Sequence, residues 1–491
     1  MTDAKPIKIA ILAMGGEGGG VLADWIVDLA EHNGYLAQTT SVPGVAQRTG
    51  ATIYYVELFP AAAAQDAGAR PVLALMPLPG DVDLVLASEL METGRAVQRG
   101  LVTPDRTTLV ASTHRVYAIA ERTALGDGRA DADMLLAGAR AAARRFIGFD
   151  MAAAAESQGS VISSVLFGAL AATGELPFTR EQFEATIQRG GVGVKSSLAA
   201  FDAAHRQVRS GPAPAAPAPA FTLPRAANPA VQALLDRAAR EHDGQALPIA
   251  VEGLRRLVDY QDPAYAALYL DRLAAAPPDA MLRAELARHL ALWMSYEDTI
   301  RVADLKTRDT RFARVKGEVK AADDQVLRFS EFMHPRLQEI ADTLPAGLGR
   351  WLLASGAPRR FVERVGAKGR VVTTSSLGGF LLLWAVAGLR RWRRSTLRFA
   401  AEDARIESWL ADIRSTAAID PALALEVVRC QRLVKGYGNT HERGLASYAR
   451  LRSAWQGHPI APAMLAELRT AALADEEGHA LTAAMQRLNI A

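Results

Sequence analysis

Cysteine is almost absent from this chain, since Cys430 is the only one among 491 residues. A single thiol can form no disulfide within the chain, no cysteine-rich zinc site and no iron–sulfur cluster with four cysteine ligands. The nine histidines form no HExxH motif, and no Ser-His-Asp set or paired metal ligands stand out. The sequence therefore predicts no metal site and assigns no catalytic residue.

Long apolar runs and a strong excess of one charge are also missing. The longest apolar run, residues 377–389, is shorter than the ~20 residues that span a bilayer. We interpret it as a buried helix whose following arginines suit the negative end of the helix dipole, and the alternative is a membrane-surface or anion-binding helix end. The first residues lack the apolar region of a signal peptide, so we expect a cytoplasmic protein without a membrane partner. A net charge of +3 gives no reason to expect a nucleic-acid partner.

Short apolar runs alternate with helical patterns over residues 7–112. This alternation predicts an α/β N-terminal domain, residues 1–209, with a doubly wound and mostly parallel sheet. The predicted strands are residues 7–13, 35–40, 52–58, 83–87 and 108–112, and the clearest predicted helices are residues 88–99 and the segment that ends near residue 33.

Four prolines between residues 212 and 220 indicate an extended linker, which we place at residues 210–224. Beyond it almost every segment has helical spacing, and strand signals are scarce. Residues 225–491 are therefore predicted to be a mainly α C-terminal domain of unassigned chemistry.

A glycine-rich turn follows the first predicted strand and supplies five candidate contact residues. Their backbone N–H groups can approach an anion or another chain at the start of the next helix. The spacing matches neither the dinucleotide fingerprint nor a P-loop. A phosphate-contacting loop and a tight turn packed on another subunit both stay open. The five candidates are Gly15, Gly16, Gly18, Gly19 and Gly20.

Two further loops stand at predicted strand ends. Gln47 and Arg48 lie in the loop of residues 39–50 and combine a planar amide with a cationic fork of donors. Ser112 and Thr113 end another predicted strand. For both loops the alternative is an ordinary solvated surface segment.

The C-terminal domain offers a weaker set of candidates in one polar segment. It combines flexible backbone with cationic, aromatic and imidazole side chains, which fits contact with a ligand or a subunit. The alternative is an ordered connection between helices. The candidates are Lys435, Tyr437, Asn439 and His441.

Two acidic features are interpreted structurally. Glu89 and Glu92 stand at the start of a predicted helix, where the helix dipole favours them without any acid/base role. The triplet of residues 126–128, Gly-Asp-Gly, resembles the start of a thiamin diphosphate motif, but no Asn pair follows. We interpret it as a turn, so this chain alone should not bind thiamin diphosphate.

The N-terminal domain resembles the gamma-type domain of the 2-oxoacid:ferredoxin oxidoreductases, most closely in the indolepyruvate ferredoxin oxidoreductase beta-subunit family. The resemblance covers residues 7–205. Pro43 stands where the family usually has His, and Thr49 where it has Gly. A looser resemblance to longer chains of the family extends over residues 225–491. The matching segments are residues 14–20, 44–50, 88–95, 167–170 and 187–195.

The resemblance implies oxidative decarboxylation of an indolepyruvate- or arylpyruvate-type 2-oxoacid to the acyl-CoA, with electrons passing to ferredoxin or another carrier. Thiamin diphosphate, Mg and the iron–sulfur clusters belong to a partner alpha subunit in that family, with coenzyme A as co-substrate. It implies that the chain binds no cofactor alone and is inactive alone. Arg48 could pair with a substrate carboxylate or a coenzyme A phosphate.

Two other classes of function stay open. A stand-alone nucleotide-binding oxidoreductase or regulator would use the glycine turn for a dinucleotide, although the second predicted strand ends in residues 38–40 without an acidic or basic residue to read a ribose. A structural subunit would use the helical domain only for assembly.

Overall fold

The computed structural model describes residues 4–42, 51–68, 70–117, 119–124, 126, 128–211, 221–319, 321–322, 324–333, 336–366, 370–475 and 477–490. The chain divides into two compact units, Met1–Ala218 and Pro219–Ala491, and each is described by itself. Most of the predicted linker lies outside the described residues. The domain boundaries at residues 209 and 225 therefore stay predictions.

The first unit is built on a six-stranded sheet with the spatial order β2-β3-β1-β4-β5-β6. Strands β1, β4, β5 and β6 are parallel, whereas β3 runs antiparallel to both β1 and β2. The strands are β1 Ile7–Met14, β2 Tyr35–Val42, β3 Ala51–Pro60, β4 Leu84–Ala87, β5 Thr108–Ser112 and β6 Arg145–Phe149.

Helices cover both faces of this sheet because successive strand side chains point to opposite sides. On β1, Ile9 and Ile11 pack into one apolar core, and Ala10 and Leu12 pack into another. The helices are α1 Gly19–Glu31, α2 Ala61–Asp66, α3 Leu90–Gln98, α4 Ile119–Thr123, α5 Ala132–Ala142, α6 Met151–Ser157, α7 Ile162–Thr173, α8 Arg180–Gly190 and α9 Val194–Ser210.

The predicted α/β class and mostly parallel sheet are confirmed. Strand β5 has the predicted bounds, and the other predicted strands differ by one to two residues at their ends. Strand β6 is an addition that the sequence pattern did not reveal. Because the four parallel strands share a direction, their carboxyl ends meet at one edge of the sheet.

The second unit is mainly helical, as predicted. Its largest core includes Trp293, Trp409 and Leu451. The helices are α10 Pro229–Glu241, α11 Ala246–Tyr260, α12 Pro263–Ala274, α13 Ala280–Met294, α14 Thr299–Thr307, α15 Asp309–Glu318, α16 Leu337–Thr343, α17 Ala346–Ala354, α18 Gly356–Gly366, α19 Leu377–Gly388, α20 Leu397–Ala417, α21 Pro421–Arg429, α22 Gly438–Gly457, α23 Pro462–Ala474 and α24 His479–Arg487. The described residues of this unit also form two 3-10 helices, Leu389–Ser395 and Cys430–Leu433.

An antiparallel hairpin of β7 Ser330–Met333 and β8 Arg370–Thr373 interrupts the helices of this unit. Its strands are only four residues long, so each offers too few positions for an alternating pattern to stand out in the sequence.

The interpretation of residues 377–389 as a buried helix is wrong. Helix α19 forms there, but Leu383 is its only buried residue and Trp384 is 61% exposed. One of the arginines that follow this helix forms a buried ion pair, because Arg393 is buried and donates to Asp298 Oδ2 at 2.8 Å. Among the helices that the structure describes, none combines the length and apolarity needed to cross a membrane.

Candidate functional site

The glycine turn joins β1 to α1 at the carboxyl edge of the sheet. Gly16 and Gly18 have φ angles of 91° and 73°, in the left-handed region that side-chain-bearing residues rarely adopt. Among the residues that the structure describes, none has a heavy atom within 4 Å of the position that a Cβ would occupy on Gly15 or Gly16. These two candidates therefore leave open space beside their backbone.

The other three candidate glycines serve packing. A Cβ on Gly19 would lie 2.5 Å from the Ala13 Cβ and 2.8 Å from the Tyr54 ring, and one on Gly20 would make ordinary contact with that ring. A Cβ on Gly18 would lie 3.0 Å from Ser163 Oγ. These glycines allow α1 to begin close to the sheet.

A hydrogen-bonded cluster connects the ends of three parallel strands. His114 follows β5, and its Nε2 lies 3.4 Å from Oε1 of Glu17 in the glycine turn. Ser88, directly after β4, donates to the other Glu17 oxygen and accepts from the Met14 N–H at 3.2 Å. The side chains of Glu17 and His114 are 19% and 16% exposed, so a ligand at this edge could reach them.

The pKa values of Glu17 and His114 are both shifted. The contact with Glu17 raises the pKa of His114, and the charges of Asp150 and Glu89 act in the same direction. Burial alone would raise the pKa of Glu17, but contacts with His114 and Ser88 outweigh it and lower the pKa. Both shifts favour the charged pair, a protonated imidazole beside a carboxylate.

The predicted candidate Ser112 contacts the imidazole of this pair. Ser112 is fully buried, lies 2.8 Å from His114 Nδ1 and accepts from the Met151 N–H at 3.0 Å. Its hydroxyl therefore orients the imidazole and is covered from a ligand. Thr113 is half-buried, and its N–H donates to the Phe149 carbonyl at 2.9 Å.

Two buried carboxylates stand beside the cluster at the start of α3. Glu89 is the N-cap residue and accepts from the Glu92 N–H at 2.8 Å, which agrees with the helix-start interpretation. Both side chains are buried, however, and burial raises the pKa of Glu92 to about 7 and also raises that of Glu89. Arg95 lies 3.0 Å from Glu92.

Gln47 and Arg48 lie outside the described residues, so their roles stay predictions. Residue 127 of the Gly-Asp-Gly triplet is also outside them. In the described part of the chain, no three His, Cys, Asp or Glu side chains come together in a way that could hold a metal ion.

The weaker candidates lie in the second unit, where Tyr437, Asn439 and His441 line one cavity. His441 is buried, and its Nε2 lies 3.2 Å from Oε1 of the fully buried Glu402. Asn439 accepts a hydrogen bond from the exposed Arg336. Lys435 is exposed and is not among the residues that line this cavity.

Sequence reasoning missed Glu17, Ser88, His114 and Glu402 as members of these clusters. Glu17 and His114 belong to segments that the sequence singled out, and a titratable residue in a glycine turn was the available signal. Glu402 lies within a long helix and carries no comparable signal.

The two units match two different protein families. Residues 8–207 match the family described as pyruvate ferredoxin/flavodoxin oxidoreductase. The first unit carries a domain of this family. Residues 247–454 match a second family, DUF6537, which is described as a family of unknown function. None of the curated proteins matches the chain.

Solved structures similar to the chain each align with 42% of it at 16% identity. One is a 2-oxoglutarate:ferredoxin oxidoreductase from Magnetococcus marinus, with a TM-score of 0.30, of which this chain covers 31%. The others are the pyruvate oxidoreductase subunit PORC from Thermotoga maritima, with a TM-score of 0.29 and 96% of its length covered, and the gamma subunit of a keto/oxoacid ferredoxin oxidoreductase from Geobacter sulfurreducens, with a TM-score of 0.28 and 99% covered.

Proposed function

We propose that this chain is the beta subunit of a thiamin diphosphate-dependent 2-oxoacid:ferredoxin oxidoreductase of the indolepyruvate or arylpyruvate type. The reaction converts a 2-oxoacid and coenzyme A to the acyl-CoA and CO₂, passes two electrons to ferredoxin or a similar carrier and releases one proton. The match of residues 8–207 to the oxidoreductase family is the observation that carries this proposal.

The proposal places thiamin diphosphate, Mg and the iron–sulfur clusters in a partner alpha subunit in the cytoplasm. Clusters need several thiolate ligands, and this chain has one cysteine. Cys430 is buried, and burial raises the pKa of its thiol, which disfavours the ligating thiolate.

The carboxyl edge of the sheet would form one wall of the shared reaction chamber. Gly15 and Gly16 are exposed, and within the described residues no heavy atom lies within 4 Å of the position of an added Cβ. The Glu17–His114 ion pair lies beside them at the same edge of the sheet. Gln47 and Arg48 would belong to the same wall, and Arg48 would pair with the substrate carboxylate or a coenzyme A phosphate, because a planar guanidinium suits both anions.

The experiment is to purify the chain alone and together with the product of the neighbouring reading frame. The complex should reduce ferredoxin only with coenzyme A present, and faster with arylpyruvates than with pyruvate or 2-oxoglutarate. The isolated chain should show no turnover. Oxidation of a 2-oxoacid by the isolated chain would contradict the proposal, and binding of NAD(P) or a flavin by that chain would favour a nucleotide-binding function instead.

A matched pair of variants separates contact from folding. Gly15→Ala should lower kcat/KM of the complex by at least about tenfold, because a methyl group there enters the open space. Gly138→Ala adds the same group at an exposed position of α5, where no heavy atom of a described residue lies within 4 Å, and should leave activity unchanged. Equal activity of the two variants would remove the glycine turn from the chamber.

A further inference from the structure

A cavity of about 930 Å³ lies within the helical unit. Ile300, Leu383 and Leu397 contribute to an apolar part of its lining, and Arg350 and Arg398 contribute to a basic part. Cavities of roughly 300–1,000 Å³ with mostly apolar walls and a few polar groups are typical of small-molecule sites.

The carboxylate behind the basic wall already accepts from donors other than Arg398. Glu402 is fully buried, its Oε2 accepts from Trp293 Nε1 at 2.9 Å, and its Oε1 accepts from Arg405 at 2.8 Å. His441 also contacts Oε1, and these cationic and polar contacts lower the pKa of Glu402 to about 2 against the opposing effect of burial. Glu402 is therefore a permanent anion that several groups share.

Arg398 has hydrogen-bonding capacity that this carboxylate does not use. Its Nε lies 3.1 Å from Glu402 Oε1 without the alignment of a hydrogen bond, and its Nη1 lies 3.6 Å from Asp342 Oδ2. The Nε and Nη2 atoms are covered and donate to no acceptor in the described structure. Unmade bonds of a buried guanidinium are costly, and a ligand oxygen is one acceptor that would make them.

Two of the six acids in the lining pair with a cation at 2.8 Å or less, and two accept from a neutral donor. Asp298 pairs with Arg393 at 2.8 Å, Glu331 pairs with Lys306 at 2.6 Å, and Asp342 accepts from Gln338 at 2.9 Å. The remaining acids of the lining are Glu339, which accepts from the Arg336 N–H, and Glu297 and Glu442, which are both exposed.

Two arginines of the lining have no carboxylate partner in the part of the chain that the structure describes. Arg350 is exposed and forms no ion pair there, and Arg336 bonds only the amide oxygen of Asn439 through its side chain. Together with Arg398, they leave guanidinium donors beside an apolar wall. A carboxylate ligand would complement them better than a cation would.

We propose that this cavity binds a small organic carboxylate with an apolar body. The carboxylate contacts Arg350 and Arg398, with a small rotation of the Arg398 guanidinium, and the body packs against Leu383 and Leu397. This site goes beyond the proposed function, because it lies wholly in the helical unit and binding requires neither a partner subunit nor turnover.

Isothermal titration calorimetry of the full chain tests the ligand class with phenylacetate as the probe. Phenylacetate should bind saturably, with phenylacetamide and phenethylamine at least tenfold weaker and acetate weaker than phenylacetate. Hydrogen–deuterium exchange should show protection by phenylacetate in residues 298–303, 337–343 and 397–405. Equal binding of the neutral amide, tighter binding of the amine or the absence of saturation would overturn the proposal.

Variants place the binding in this cavity. Arg350→Gln changes an exposed side chain without an ion pair, so it should fold normally and weaken phenylacetate binding at least fivefold. Arg398→Gln should weaken it further. Arg360→Gln is the control, since Arg360 is exposed in α18 and does not line the cavity. Unchanged affinity in Arg350→Gln and Arg398→Gln would sink the proposal whatever the fate of the oxidoreductase assay.

Discussion

His114 Nε2 and Glu17 Oε1 lie 3.4 Å apart although 97 residues separate them in the chain. The sheet order brings them together: β4 pairs with β1 on one side and β5 on the other, so the loops after β1 and β5 meet across the end of β4. Ser88, at that end, contacts Glu17 and fixes the carboxylate against Met14. The order of the strands in the sheet therefore places these two side chains together.

Removing Glu17 should lower the pKa of His114. The contact with Glu17 raises that pKa above 6.5, so Glu17→Gln should shift the imidazole midpoint downward by about half a unit or more in an NMR titration of ¹³C-labelled histidine. Glu31→Gln, an exposed change in α1, should leave the midpoint unchanged. An identical midpoint in Glu17→Gln and the unmodified chain would contradict the pairing.

The stability that His114 contributes should depend on pH with a definite sign. Its folded pKa is raised, so the contribution is complete below about 6.5 and is lost as the pH rises through the folded value. His114→Gln should therefore lower the free energy of unfolding by about 1 kcal/mol at pH 6 and by less at pH 9. Urea titrations at the two pH values measure this difference, and a larger loss at pH 9 would contradict it.

Glu92 should destabilise the first unit at alkaline pH. Burial raises its pKa to about 7, so folding is penalised progressively as the pH rises from about 4.5 to 7. Relative to the unmodified chain, Glu92→Gln should gain about 2 kcal/mol of unfolding free energy between pH 5 and pH 8. Hydrogen–deuterium exchange of β1 and β4 in urea reports on this unit.

The control for that experiment is Glu156→Gln, which changes an exposed glutamate at the end of α6. Its unfolding free energy should follow that of the unmodified chain at both pH values. If the unfolding free energy of Glu92→Gln also matches that of the unmodified chain at both pH values, the contact with Arg95 compensates the burial of Glu92 more fully than we expect.

The sheet was predictable where local signals are strong. The apolar run before the glycine turn predicts β1, and the short strand-like run of residues 108–112 predicts β5. Strand β6, Arg145–Phe149, has partly exposed ends and follows a run of alanines, so its apolar pattern is short. The antiparallel placement of β3 depends on pairing with β1 and β2, which no local pattern encodes.

The site was predictable only as a set of loops. The glycine turn and Ser112 both proved to lie at the carboxyl edge, but their roles as packing and orienting groups depend on distant neighbours such as Tyr54 and Met151. The burial of helix α19 was also not predictable from its own composition. Its apolar composition suggested burial, whereas the fold buries only Leu383 and places the neighbouring Arg393 inside.

Gly19 should be essential for the stability of the first unit. An added Cβ would lie 2.5 Å from the Ala13 Cβ and 2.8 Å from the Tyr54 ring, so Gly19→Ala forces the helix away from the sheet and should cost about 1–3 kcal/mol. Gly20→Ala is the matched control, because its nearest contact is 3.5 Å and alanine favours helix. Thermal unfolding should rank Gly20→Ala above Gly19→Ala, and the reverse order would contradict the close approach.

Loss of the Glu402 charge should lower the unfolding free energy of the helical unit. Its pKa of about 2 means that its stabilising contribution is present above about 4.5 and is lost as the pH falls toward 2. Glu402→Gln retains an acceptor for Trp293 but leaves Arg398, Arg405 and His441 without their shared anion, which should cost about 3 kcal/mol at pH 7 and less near pH 3. Glu407→Gln, on the same helix and 52% exposed beside Arg272, should cost less than about 1 kcal/mol. Chemical denaturation followed by tryptophan fluorescence compares the two, and equal losses would show that the buried cations find other acceptors.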